Sequence, residues 1–243
     1  NMGWTKELLD YMQTDPYFRK GNHNKLNFSM MYPITENYLH PISHDEVVYG
    51  KRSLLDKMPG NYEDKFANLR AFMGYMMSHP GKKLIFMGCE FGQFKEWNYK
   101  EGVEFFLKDY PLHQKLSDMN AALNKFYRDT PAMYEIEDSW DGFEWLAAND
   151  SDRNILAYLR RDKAGNTYLV AVNFSGTKAE NYRLGVPKGK YKVVFNTDSA
   201  KFGGNDDLHK RIFNTERKPS HGKEYSIKLE LPKLTCVYLQ KIL

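Results

Sequence analysis

The chain has 243 residues, 42% of them hydrophobic and 27% charged, with a net charge of +4, which is ample for one large or two modest globular domains. No run approaches the roughly 18 apolar residues of a membrane span and no signal peptide opens the chain, so a membrane partner is excluded and a cytoplasmic location expected. Its basic residues form no stripe, which argues against nucleic acid; the densest groups, Arg160-Arg161-Asp162-Lys163 and His209-Lys210-Arg211, stand beside turn signals and read as solvated loop charge.

Helix-like spacing begins almost at once. Thr5 is the expected cap of "KELLDYMQ", in which Leu8, Leu9 and Met12 share a face, and Asp15-Pro16 should end it. The stretch from Gly21 to Pro33 reads as an irregular, mobile connection. "YLHPIS" is a short strand in which Pro41 counts against a central place. A helix is predicted from about Tyr62 to Ser78, with Phe66, Leu69, Phe72, Met73 and Met76 as its stripe and Pro80-Gly81 as its stop. "KKLIFMG" reads as a buried parallel strand, "CEFGQFKEWNYKEG" as a loop, and "LHQKLSDMNAALNKFYRDTP" as a second amphipathic helix. Helix, strand, helix, strand, helix implies parallel strands with crossover helices.

The pattern changes near Ser139. "FEWLAAN", "NILAYLRR", "TYLVAVNFS", "NYRLGV", "YKVVFNTD", "YSIKLEL" and "TCVYLQKI" are short runs broken by turn residues, the signature of an all-β sandwich. Ser199 to Lys223 is the one long loop. Cys89 and Cys236 lie far apart, outside any metal-binding spacing, and read as buried free thiols. The aromatic content of 15% fits either a carbohydrate-handling surface or a large β core.

One stretch carries chemistry. "ISHDEVVYGK" sets His44, Asp45 and Glu46 together where the first strand ends, and Cys89-Glu90 follows the second. In α/β folds ligands gather at the carboxyl ends of parallel strands. If the triplet is extended, Asp45 and Glu46 point to opposite faces and cannot flank one bond. Asp45 and Glu90, on neighbouring strands, are the one carboxylate pair the chain can bring together. A structural role stays open on these residues alone, with Asp45 capping a turn and Glu90 paired to Lys82 or Lys83.

"YLHPISHDEVVYGKRSLLDKMPG" and "KFANLRAFMGYMMSHPGKKLIFMGCEFGQFKEWN" resemble the later part of bacterial 1,4-α-glucan (glycogen) branching enzymes, members of the α-amylase superfamily. "NMGW", "DGFEW" and "LPKLTCVYL" match the same family in the same order. The resemblance implies an α/β plus all-β chain: residues 1–135 as the last part of a catalytic (β/α)8 barrel, and residues 136–243 as a C-terminal antiparallel β-sandwich. It implies that Asp45 stabilises the transition state, that His44, Glu46 and Glu90 bind substrate, and that no metal or organic cofactor takes part. It further implies an α-1,4-glucan (glycogen or amylose) as substrate and an N-terminal remainder as partner. That remainder would hold the nucleophile and general acid, leaving the isolated chain inactive. Tyr49 departs from the bacterial pattern, which usually has histidine there. Two other classes stay open, a non-catalytic glucan-binding module and a docking piece of a split enzyme, with a stand-alone hydrolase using Asp45 and Glu90 as a remote third.

Overall fold

The computed structural model describes residues 1–242. Helix α1 (Met2–Gln13) is capped by Asn1, whose side-chain oxygen accepts the Trp4 N–H at 3.0 Å. Thr5, the expected cap, instead lies buried inside the helix, where its hydroxyl reaches the Pro41 carbonyl at 2.9 Å and ties α1 to the first strand. Helix α1 stops at Gln13, and a 3-10 segment capped by Asp15 starts at Pro16, as the Asp-Pro pair predicts. The expected mobile connection is a run of helical turns instead: Pro16–Asn22, the single-turn α2 (Asn24–Asn27) and Phe28–Met31. Burial organises it, since Leu26, Ser29 and Met30 are all covered and the Tyr75 hydroxyl donates to the Leu26 carbonyl at 2.5 Å.

Strand β1 (Leu39–Ile42), helix α3 (Tyr62–Ser78) and strand β2 (Lys82–Ile85) form a parallel βαβ unit, with Leu39 opposite Lys82 and Ile42 opposite Ile85. Asn61 caps α3 by accepting the Asp64 N–H at 2.8 Å, and Glu63 and Asp64 favour its positive end. The expected stripe of α3 is fully buried, but so are Ala71, Tyr75 and Met77 on other faces, because α3 is a central helix rather than a surface one. Strand β2 departs from expectation: Lys82 and Leu84 are exposed and Ile85 half-buried. The physical reason is its sheet, which among the described residues has only two strands and leaves β2 paired with β1 alone. Helix α4 (Pro111–Asp129) carries proline in its first turn and packs on α3.

The remaining strands are β3 (Phe143–Asp150), β4 (Ile155–Arg161), β5 (Thr167–Asn173), β6 (Ala179–Gly185), β7 (Lys190–Asn196), β8 (Ile212–Asn214), β9 (Ser226–Leu231) and β10 (Thr235–Lys241). They build an antiparallel sheet in the order β3-β4-β5-β10-β7-β8, faced by the β6-β9 pair. All seven expected strands are present. The eighth, β8, falls inside the expected long loop; three residues are too few to show alternation, and it pairs only with β7 at the sheet edge.

Alternate residues divide the large sheet between two cores. Ile155, Ala157, Leu159, Leu169, Ala171, Val237 and Leu239 face the β6-β9 pair. Leu156, Tyr158, Val170, Val172, Cys236 and Tyr238 face the helices. Gly74 makes the second contact possible, since a Cβ there would lie 2.7 Å from that of Cys236 and 2.9 Å from the Thr197 methyl. Arg160 corrects the reading of its cluster as solvated: it is fully buried, and its guanidinium donates to the carbonyls of Ser78 (2.7 Å) and Met133 (3.1 Å). Cys89 and Cys236 are free and buried, as expected, and burial pushes the Cys89 thiol up to about 12. Among the described residues, no helix is long and apolar enough to cross a membrane.

Candidate functional site

The strand ends on which the charged residues were expected are adjacent in space. The Phe86 N–H donates to the Ile42 carbonyl at 2.9 Å, so β1 and β2 finish side by side. After Ser43 the chain makes one 3-10 turn over His44–Glu46, closed by the Val47 N–H on the His44 carbonyl at 2.9 Å. This corrects the extended reading of the triplet: Asp45 and Glu46 follow one another around a turn and do not alternate between the two faces of a strand. After β2 a second 3-10 turn, Cys89–Phe91, runs between Gly88 and Gly92, both at positive φ. Each turn thus carries its carboxylates just beyond the carboxyl end of a parallel strand.

His44 and Asp45 are exposed and touch, Nε2 to Oδ1 at 3.2 Å. Glu46 is half-buried. Glu90 is half-buried too, and its backbone carbonyl accepts the Asn120 amide of α4 at 2.9 Å, which fixes the turn. Neither lysine considered for Glu90 is free to serve it. Lys82 pairs with Glu137 at 2.8 Å, and the Lys83 ammonium donates to the carbonyls of His79 and Gly81. Among the described residues, no group of three or more His, Cys, Asp or Glu side chains is placed to hold a metal ion.

The turn continues into a loop that carries Tyr49, the residue departing from the bacterial pattern. Tyr49 (φ 56°) and Arg52 (φ 67°) are both left-handed, a conformation that costs a bulky residue on the order of 1–3 kcal/mol. The Glu96 carboxylate holds this backbone by accepting the N–H groups of Gly50 (2.9 Å) and Arg52 (2.6 Å), which also lower its own pKa. The Trp97 N–H donates to the Val47 carbonyl at 2.9 Å, closing the second seam between the two loops. Lys51 Nζ reaches back to the Asp45 carbonyl at 2.7 Å, and the buried Lys57 ammonium donates to the Lys51 carbonyl. Beside this assembly opens a groove of about 420 Å³ walled by Tyr49, Trp97 and Tyr99, with Lys95, Asn98 and Glu101 around it. The sequence signal in this loop was Tyr49 itself, standing where the bacterial pattern usually has histidine; nothing local pointed to its partner Glu96.

A larger groove of about 470 Å³ runs past Tyr17, Asp64, Asp152 and Thr177. Lys20 pairs there with Asp152 at 2.6 Å and Lys233 with Asp64 at 3.1 Å, and its lining draws on the turns around β4, β5 and β10 rather than on the carboxyl ends of the parallel strands β1 and β2. The smaller groove is the better candidate, because it adjoins the turn that carries His44 and Asp45.

Fold and site together define a class. Residues 145–242 match the family described as alpha amylase, C-terminal all-beta domain. The whole chain is 48% identical to the 1,4-alpha-glucan branching enzyme GlgB of Halothermothrix orenii, covering 100% of this chain and 39% of that protein. It is 44% identical to the Aquifex aeolicus enzyme of the same name (99% and 38% covered) and 43% identical to one from Pseudomonas fluorescens (99% and 32%). The chain belongs to the 1,4-alpha-glucan branching enzyme family, of whose members it spans 32–39% of the length in these three cases. Among solved structures, an alpha-amylase from H. orenii superposes with a TM-score of 0.64 at 14% identity, covering 100% of this chain and 48% of that one. The glycogen-degrading pneumococcal virulence factor SpuA gives 0.59 at 16% identity over 88% of this chain and 28% of that one. These two likenesses concern the fold.

Proposed function

We propose that this chain is the C-terminal region of a branching enzyme that cleaves α-1,4-glucan chains and transfers them to a 6-hydroxyl, retaining configuration through a covalent glucosyl-enzyme. In this reading residues 1–135 complete a (β/α)8 barrel and residues 136–243 form the C-terminal β-sandwich domain. The observation that carries it is the parallel pair β1-β2, with His44-Asp45 on one strand end and Glu90 on the next, in a chain 48% identical to a branching enzyme along its full length. Asp45 hydrogen-bonds the hydroxyls of the sugar at the cleavage point, and those bonds strengthen as oxocarbenium character develops, which lowers the barrier rather than only binding the substrate. His44 holds the same sugar, while Glu46 and Glu90 shape the site around it.

The nucleophile and the general acid come from a segment outside this chain, a reading supported by the share of the relatives' length that it spans. The chain alone is then inert, for a stabilising carboxylate accelerates nothing without a nucleophile to create the charge. Exposed Leu39, Leu84 and Met87 on and just beyond β1 and β2 favour a docking role for this face, the split-enzyme reading included. Iodine-amylose absorbance tests the proposal. The chain alone should leave it unchanged, and the chain joined to or mixed with the preceding segment should lower it steadily. A steady fall with the chain alone would overturn the proposal and return Asp45 and Glu90 as a self-sufficient pair.

A further inference from the structure

We infer that Tyr49 and Tyr99 wall a glucosyl-binding subsite beside the Asp45 turn, and that Glu96 is the positioning residue that gives it shape. This deepens the branching-enzyme reading and rests on it for the identity of the ligand. Tyr49 is 91% exposed and Tyr99 75% exposed, yet both line one groove of about 420 Å³, of the right order for one or two sugar rings. An exposed aromatic face matches the apolar C–H face of a pyranose. Asn98 and the exposed Lys95–Glu101 pair (3.7 Å) supply donors and acceptors for its hydroxyls. The groove is continuous with the proposed reaction centre through Trp97, which lines it and whose ring centroid also stands 6.4 Å from that of His44.

The Tyr49 ring is held out by its backbone. Tyr49 and Arg52 take left-handed conformations that the loop does not favour by itself, and the Glu96 carboxylate binds the amides of Gly50 and Arg52 that this geometry turns toward it. Because Lys51 sits between those two amides and donates to the Asp45 carbonyl, the same clamp also steadies the Asp45 turn. Glu96 also lines the groove, but each of its carboxylate oxygens is taken by a loop amide, so its part is to position the loop. Glu96→Gln keeps the size of the side chain but offers one acceptor oxygen where the loop presents two N–H groups, so one of the two bonds is lost.

The test is calorimetric titration of the chain with maltoheptaose, with amide hydrogen exchange of residues 49–52 followed in parallel. Tyr49→Ala should weaken binding about tenfold, equivalent to about 1.4 kcal/mol, while Tyr49→Phe, which keeps the stacking face, should stay within about threefold of the parent. Glu96→Gln should weaken binding several-fold and speed exchange at residues 49–52, with the thermal midpoint moved by no more than about 2 °C. Tyr17→Ala, in the larger groove, should change nothing. Parent-like binding by both Tyr49→Ala and Glu96→Gln would overturn the inference, as would absence of binding to the parent chain or a loss confined to Tyr17→Ala. Failure of the branching reading is separate: it shows as a flat iodine-amylose trace with the preceding segment present, whatever the titration gives.

Discussion

The sandwich and the two-stranded parallel unit both carry apolar strand residues, yet they bury them very differently. In β4 six consecutive residues from Ile155 to Arg160 are buried, because one sheet face meets the β6-β9 pair and the other meets α3. In β2 the run "KKLI" stays exposed or half-buried, since β1 is its only strand neighbour among the described residues. Apolar sequence thus signals that a surface is to be covered, not that this chain covers it. The candidate chemistry sits on the poorly covered unit, and the stability sits in the well-covered one.

The largest effect that would break this contrast is a cavity. Leu159→Ala, fully buried between the sheets, should cost about 2–5 kcal/mol in urea unfolding, whereas Leu84→Ala in β2 should cost no more than about 1 kcal/mol. Comparable losses at the two positions would show that β2 is as tightly packed in solution as β4.

Acid should come next. His40 is buried against Trp4 (ring centroids 4.4 Å) and His79 (4.8 Å), and burial first, then the Lys83 charge, holds its pKa down to about 3. The unfolded chain takes up that proton below about pH 6.5 and the folded chain does not. Stability should therefore fall between about pH 6.5 and 3, by up to about 1.4 kcal/mol per pH unit, and His40→Gln should flatten the slope. An unchanged slope in that variant would assign the acid loss to other groups.

Lys83 titrates in the opposite window. Its ammonium lies among the His79 and Gly81 carbonyls and over the Tyr127 ring at 5.2 Å, and burial lowers its pKa to about 7. Between about pH 7 and 10 the unfolded chain holds the proton more tightly, so stability should rise with pH across that range. Thermal melts of Lys83→Met should lack the rise. The smallest effect is expected at the site itself. Asp45→Asn, on an exposed side chain, should leave the unfolding free energy within about 0.5 kcal/mol of the parent. The same variant should abolish the iodine-amylose signal of the complete enzyme; a large stability loss would recast Asp45 as structural.

Much of this was legible in residue order. Chain spacing determined the helix from Tyr62 to Ser78, the two short strands and seven of the β runs, because periodicity and turn residues are local properties. His44, Asp45, Glu46 and Glu90 were legible as polar residues at strand ends for the same reason. Tertiary structure alone decided the rest. Thr5 lost the cap to Asn1 because its hydroxyl was drawn to the Pro41 carbonyl of β1. The segment from Gly21 to Pro33 became helical turns because Leu26 and Met30 found cover. Arg160 went inward because two carbonyls distant in sequence, those of Ser78 and Met133, were waiting for its guanidinium. The Glu96 clamp on Gly50 and Arg52 belongs to this second group. Its partners stand 46 and 44 residues apart in sequence, and only folding brings a carboxylate to two amides that no local pattern could pair.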